Sequence, residues 1–390
     1  MSDKRTPDDA DGPNKLKAHV VKVAQTEVAE TEVAETEVAE TEVTAGRGKG
    51  FTRRQALAGA GAAMAAFPAA KLLGADFASA DSSSHQTHGG PQAASQTHGD
   101  PLTNAAHQIH GKGAPVSQGP NELDGLLYPP KALPHKPGRK REYFLEAKNK
   151  TIEIIKGVQF DAWTFNGTVP GPIIRVTEDD LLSVRFLNGT EHPHTVHFHG
   201  IHPANMDGVL ELVDPGKEFV YEFRARPAGV HPYHCHVPPL REHIQRGLYG
   251  VLIIDPKEPR PPAQELVMVM NGYDTDKDGE NNFYTVNGIA FYYAKYPIKV
   301  KRSQTVRIYL INMTEFDPLN SFHLHADFLR YQENGHPDNA WRHTDNVAQI
   351  QGERGVIEID FAEPGLHMFH AHQTEFIELG WTGFFDVLDE

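Results

Sequence analysis

From residue 141 to the end of the chain, apolar and polar residues alternate in short β-branched runs bounded by Gly, Pro and Asn. Runs at 181–186, 218–223, 305–311 and 355–361 carry the two-residue period of half-buried strands. Convincing helical periodicity is scarce. The pattern predicts an all-β fold of two sandwich or barrel domains, 141–258 and 259–390, with a proline-rich joint at 256–262.

Upstream the alternation disappears. Residues 26–43 repeat Thr-Glu-Val-Ala-Glu, whose period fits neither helix nor strand, so this acidic leader is expected to stay solvated. Arg53-Arg54 then precede an apolar, alanine-rich run at 56–70. That run is too short and too weakly apolar to span a bilayer, but it suits the h-region of a signal peptide. With its twin arginine it resembles a Tat export signal, and Ala78-Ser79-Ala80 fits a cleavage site. The Tat machinery is therefore an expected partner. The expected location is periplasmic, cell-surface or extracellular. Residues 81–140 are rich in Ser, His, Gly and Pro and read as a solvated linker; His85, His88, His98, His107 and His110 follow no packing pattern there.

The two β domains repeat one another in register. Phe165-Asn166-Gly167 and His194-Thr-Val-His197-Phe-His199 in the first match Val286-Asn287-Gly288 and Asn320-Ser-Phe-His323-Leu-His325 in the second. Farther on, His231-Pro-Tyr-His234-Cys-His236 matches His367-Met-Phe-His370-Ala-His372. A Gly-x-x-Gly follows each, at Gly247–Gly250 and Gly380–Gly383. This is the pattern of a duplicated domain.

Composition adds the chemistry. The 390 residues carry 37 Lys+Arg against 52 Asp+Glu, a formal charge of −15, which argues against a nucleic-acid partner. One cysteine, Cys235, excludes a disulfide scaffold, and 23 histidines point towards metal. Residues i and i+2 of a strand face the same way, so each His-x-His is a two-pronged nitrogen donor. Four such pairs, 197/199, 234/236, 323/325 and 370/372, supply eight donors. Eight imidazoles gathered without metal would be buried polar groups that repel when protonated. Cys235 stands between two of them, and a thiolate with two imidazoles and a weak axial group makes a blue-copper site. His194 and His243 supply the imidazoles, and Leu248 falls at the axial position.

These motifs resemble the multicopper oxidases, in size the two-domain, small-laccase-like members, over roughly residues 141–390. The resemblance implies cupredoxin domains and four coppers per chain. One is a type 1 copper on His194, Cys235 and His243, with Leu248 non-coordinating. The type 2 copper falls to His197 and His323, and the two type 3 coppers to His199, His234, His236, His325, His370 and His372. Asp207, in Met206-Asp207-Gly208-Val209, is the implied proton-relay acid, with Glu375 and Glu378 as weaker candidates. In domain two Asn320, Ala371 and Phe376 replace His194, Cys235 and His243, so one type 1 copper per chain is expected.

The implied reaction takes single electrons from a phenolic or metal-ion donor and reduces dioxygen to water. The seven scattered methionines do not single out cuprous copper as that donor. The implied assembly is a homotrimer with clusters between chains, although the joint at 256–262 leaves a cluster within one chain open. The rival readings are a copper nitrite reductase, which carries an aspartate where His197 stands, and a copper-binding or electron-transfer cupredoxin without turnover. Asp274-Thr-Asp276-Lys-Asp278-Gly279 mimics a calcium loop, but Thr285 stands where its last ligand belongs, so a polar turn is expected.

Overall fold

The computed structural model describes residues 113–389. The acidic repeat, the twin-arginine run with its cleavage site, and the five upstream histidines lie outside that span. Among the described residues no helix is long and apolar enough to cross a membrane.

The first β domain contains β1 (Lys140–Ile155), β2 (Val158–Phe165), β3 (Ile174–Thr177), β4 (Leu181–Asn188), β5 (His197–Phe198), β6 (Glu218–Arg224), β7 (Gly229–His234) and β8 (Tyr249–Asp255). They form two sheets, in the orders β2-β1-β4-β6 and β3-β8-β7-β5. The second domain contains β9 (Gln264–Tyr273), β10 (Phe283–Val286), β11 (Ile298–Lys301), β12 (Val306–Asn312), β13 (Leu319–Leu324), β14 (Leu329–Glu333), β15 (Trp341–Thr344), β16 (Asn346–Ile350), β17 (Arg354–Ile359), β18 (Gly365–His370) and β19 (Thr382–Leu388). Its sheets run β10-β9-β12-β17-β14-β15 and β11-β19-β18-β13-β16.

The expected duplication reappears as matched topology. β1 runs parallel to β4 and β3 to β8; in domain two β9 runs parallel to β12 and β11 to β19. All four expected strand runs are strands, and β6 shows the alternation directly, with Tyr221 and Phe223 buried between exposed neighbours. Among the described residues the only helices are short: α1 (Asp124–Leu127), α2 (Leu240–Gln245), α3 (Tyr292–Lys295) and α4 (Thr374–Glu378), plus one 3₁₀ turn at Ala204–Met206.

One apolar core belongs to domain one and contains Cys235, Leu248, Phe186 and Tyr221. The other is shared, joining Ile154, Val169 and Tyr249 of domain one to Met268, Ile308 and Phe369 of domain two. At the joint, the buried Arg175 guanidinium pairs with Asp255 at 2.8 Å and Glu265 at 2.7 Å, tying the end of β8 to the start of β9. Removing either acid would leave a charge buried without its partner, which is the costly way to break such a pair.

The linker expectation needs correction over its described part. Ala114, Val116, Leu123, Leu126 and Leu127 are buried in the shared core. Tyr292 and Tyr296 donate their hydroxyls to the carbonyls of Gly119 and Gln118. The apolar residues of this segment follow no sustained period, because apart from the single turn of α1 it is an irregular strap that packs residue by residue and not by face. Alternation rules detect longer elements than that.

Candidate metal centre

The register of two strand pairs builds the site. β5 pairs antiparallel with β7 so that His197 faces His234, and β13 pairs with β18 so that His323 faces His370. Each pairing lays one His-x-His against the other on a single face of a rigid sheet. Two glycines make room. At Gly208, with φ +73°, an added Cβ would run into the Val196 carbonyl, so the Asp207-Gly208 turn closes onto the strand that carries His197. At Gly250 an added Cβ would collide with the ring of Tyr233, the residue next to His234.

In domain one, His197 Nδ1 lies 2.8 Å from the Asp207 carbonyl, and His234 Nδ1 lies 2.9 Å from the Cys235 carbonyl. A carbonyl only accepts, so both Nδ1 atoms carry the proton and both Nε2 atoms are bare. Domain two repeats this, with His323 Nδ1 donating to Asp345 at 3.0 Å and His370 Nδ1 donating to Ala371 at 2.6 Å. The bare Nε2 of His234 faces His199 Nε2 at 3.1 Å, and that of His370 faces His325 Nε2 at 2.7 Å. Two ring nitrogens that close need one proton or one cation between them.

Burial decides how many protons are available. It pushes His199 down to about 2, and His234 and His370 down to about 4, with neighbouring imidazoles adding to the effect. Burial lowers His197 too, against the pull of Asp207, and likewise lowers the more open His325. These rings are neutral donors at neutral pH, as metal ligation requires. The quartets differ in access. His325 and His372 are exposed, and His325 lines a cavity of about 480 Å³ together with His323, Asp327, Phe328 and Asp345. His197, His199 and His236 are half-buried.

The cysteine forms a separate triad. Cys235 Sγ lies 3.2 Å from His243 Nδ1 and 3.7 Å from His194 Nδ1, and the two nitrogens are 3.2 Å apart. Cys235 and His194 are 0% exposed and His243 3%. Burial holds His194 at about 3 and His243 at about 4, and raises the Cys235 thiol. Two ring nitrogens and a sulfur converging in a dry pocket are a soft three-atom donor set, which suits copper. Leu248 is wholly buried, and its carbonyl accepts from the Cys235 N–H at 2.9 Å, so no further donor comes from its side chain.

Within one chain, no group of ligand atoms lying within 4.8 Å of one another combines histidines of both domains, among the described residues. The fold gathers His197, His199 and His234, and likewise His323, His325 and His370, with His236 and His372 in ring contact beside them, and leaves the two quartets apart.

Asp207 Oδ1 lies 3.2 Å from His197 Nδ1 and 3.6 Å from His202 Nε2. Glu375 and Glu378 are exposed on α4, and no hydrogen bond joins them to the quartet. The charge of Glu375 acts instead on Tyr284. Sequence reasoning missed Asp345, the domain-two counterpart of Asp207, because the β14–β15 hairpin interrupts the repeat between His325 and that position. It also missed Trp163, whose ring lies 4.9 Å from His243 and 5.4 Å from His194. In sequence Trp163 reads as one more core residue of a strand. The calcium-like loop is a polar turn in which Asp274 accepts from the N–H groups of Lys277 and Gly279.

Two family models, both described as multicopper oxidase, match residues 146–259 and 259–390. A solved structure described as a multicopper oxidase is 46% identical, with a TM-score of 0.66, over 70% of this chain and 98% of that one. A blue copper oxidase from Nitrosomonas europaea is 29% identical, with a TM-score of 0.58, over 64% of this chain and 86% of its own. A copper-containing nitrite reductase of Neisseria meningitidis is 29% identical over 250 residues, 58% of this chain and 64% of its own length. Copper resistance protein A of Escherichia coli is 39% identical over 121 residues, 30% of this chain and 20% of its own length. The chain thus spans just under two thirds of that nitrite reductase.

Proposed function

Because the chain belongs to the multicopper oxidase family, with two cupredoxin-like domains and an oxidoreductase's copper chemistry, we propose that it couples oxidation of a phenolic or metal-ion donor to reduction of dioxygen to water. The observation that carries this reading is the pair of histidine quartets, in each of which two rings, His197 and His234 or His323 and His370, have their Nδ1 protons tied to carbonyls and their Nε2 atoms bare. A nitrite reductase or an electron carrier has no use for eight paired histidines.

In this reading the triad holds a type 1 copper. His197 and His323 hold a type 2 copper, and the other six paired histidines hold two type 3 coppers. Copper bound there supplies one-electron redox chemistry and a place for dioxygen. Cys235 is bonded on one side to His234 and on the other to His236, and its carbonyl accepts from His234. The chain therefore provides a short covalent and hydrogen-bonded route between triad and quartet. Asp207 orients His197 through its carbonyl and keeps a carboxylate beside the ring, where it can move protons.

The separation of the quartets within one chain supports clusters built between copies, domain one against domain two of the next, closing as a ring of three. Exposed Ile201, Leu210 and Leu212 lie along the segment between His199 and Cys235, and exposed Phe328 lines the domain-two cavity. Apolar surface at both half-sites is what such an interface would cover. Export through the Arg53-Arg54 signal belongs to the same proposal.

Nitrite reduction is the second reading, favoured by relatives of that name at 29% identity. Copper-loaded protein with an artificial reductant separates the two. Oxygen consumption without nitrite turnover, at four coppers per chain, is expected, and Cys235→Ser should lose the blue absorption and turnover while keeping most cluster copper. Nitrite consumption with one or two coppers in active enzyme would establish the second reading.

A further inference from the structure

We propose that Glu242 and Arg246 are opposed charge levers on a copper held by His194, Cys235 and His243, and that Trp163 is the positioning residue that holds Arg246 in place. The inference rests on the copper reading of the triad. Glu242 lies on α2 beside His243, and Arg246 caps that helix. Their side chains pair at 3.2 Å. The Arg246 guanidinium lies over the Trp163 indole, 4.5 Å from its centre, and the backbone N–H of Trp163 donates to the Arg246 carbonyl at 3.0 Å. That indole, part of the domain-one core, also makes edge-type ring contacts with both triad imidazoles and a tilted one with the exposed His192. At 7% exposure it leaves little water between guanidinium and ligands, so the charge is weakly screened.

A nearby cation disfavours the more oxidised, more positive state of a metal site and so raises its reduction potential; a carboxylate does the reverse. Domain two, which lacks the triad, keeps the aromatic contact as Tyr284 stacked on Phe376 at 3.6 Å. It has Leu379 in the place of Arg246, so the aromatic cover remains there without the cation.

The test is a redox titration of the blue absorption in full-length, copper-loaded protein. Arg246→Gln should lower the midpoint potential and Glu242→Gln should raise it, and at high ionic strength the shift from the more exposed Glu242 should shrink more than that from Arg246. In a Trp163→Leu background the Arg246→Gln shift should be smaller than in the native chain, since the guanidinium is no longer held. An unchanged band position in the two charge variants verifies that the ligands have not moved. Shifts of the same sign, or none, in protein that keeps its blue band overturn the proposal and leave the copper reading standing. Native protein that develops no blue band on loading overturns both.

Discussion

The indole N–H of Trp381 donates to Oδ1 of Asn320 at 3.0 Å. These residues occupy, in domain two, the places of Leu248 and His194. The backbone matches as well, since Cys235 donates to the Leu248 carbonyl and Ala371 to that of Trp381. Domain two has therefore kept the frame of the triad and filled it, with an indole against Asn320, a methyl group at Ala371 and Phe376 stacked on Tyr284. No soft donor set remains there.

That filling should be structural in its energetics. Trp381 is fully buried against Phe322 and Phe369. Trp381→Ala should cost about 3–5 kcal/mol of stability, in the range of large-to-small core changes. Urea denaturation of native and variant protein measures it, and the blue absorption of folded, copper-loaded variant should be unaltered.

In the proposed type 1 site Leu248 stands at the axial position. A non-coordinating axial side chain favours the reduced, three-coordinate state, and a thioether would favour the oxidised one. Leu248→Met should lower the midpoint potential in a redox titration. A rise, or no change, would remove Leu248 from the axial position.

The split between quartets gives a complementation test. Chains lacking His197 and His199, and chains lacking His323 and His325, should each be inactive alone. Co-expressed, an intact domain one can meet an intact domain two from the other variant, and part of the oxygen consumption should return. Mixed oligomers that carry type 1 copper yet regain no activity would place the clusters within single chains.

The buried imidazoles also fix a pH dependence of the metal-free protein. His194 is held at about 3, and His231, His234 and His243 at about 4, against 6.5 when unfolded. Between those values the unfolded chain binds more protons than the folded one, so stability is full above about pH 6.5 and falls as pH drops towards 4. For the wholly buried His194 the loss is at most about 1.4 kcal/mol per pH unit. The urea midpoint of metal-free protein should fall across that window, and copper loading should widen the gap between pH 7 and pH 5.

The two β domains, their duplication and the paired histidines were legible in the chain because each depends on local order. Strand alternation has a period of two, so His197 and His199 must share a face, as must His323 and His325. Replacement of His194, Cys235 and His243 by Asn320, Ala371 and Phe376 needed only the repeat register. Distance across the fold was not legible. Only strand pairing set His197 opposite His234, and only packing stacked Arg246 on Trp163 and carried Asp345 to His323. The strap at 114–127 was hidden for the same reason, since its leucines are buried by residues far along the chain. Periodicity is a property of neighbours in sequence, whereas the electrostatics around a buried thiolate and the separation of two histidine quartets come from the closure of the sheets, which no local pattern encodes.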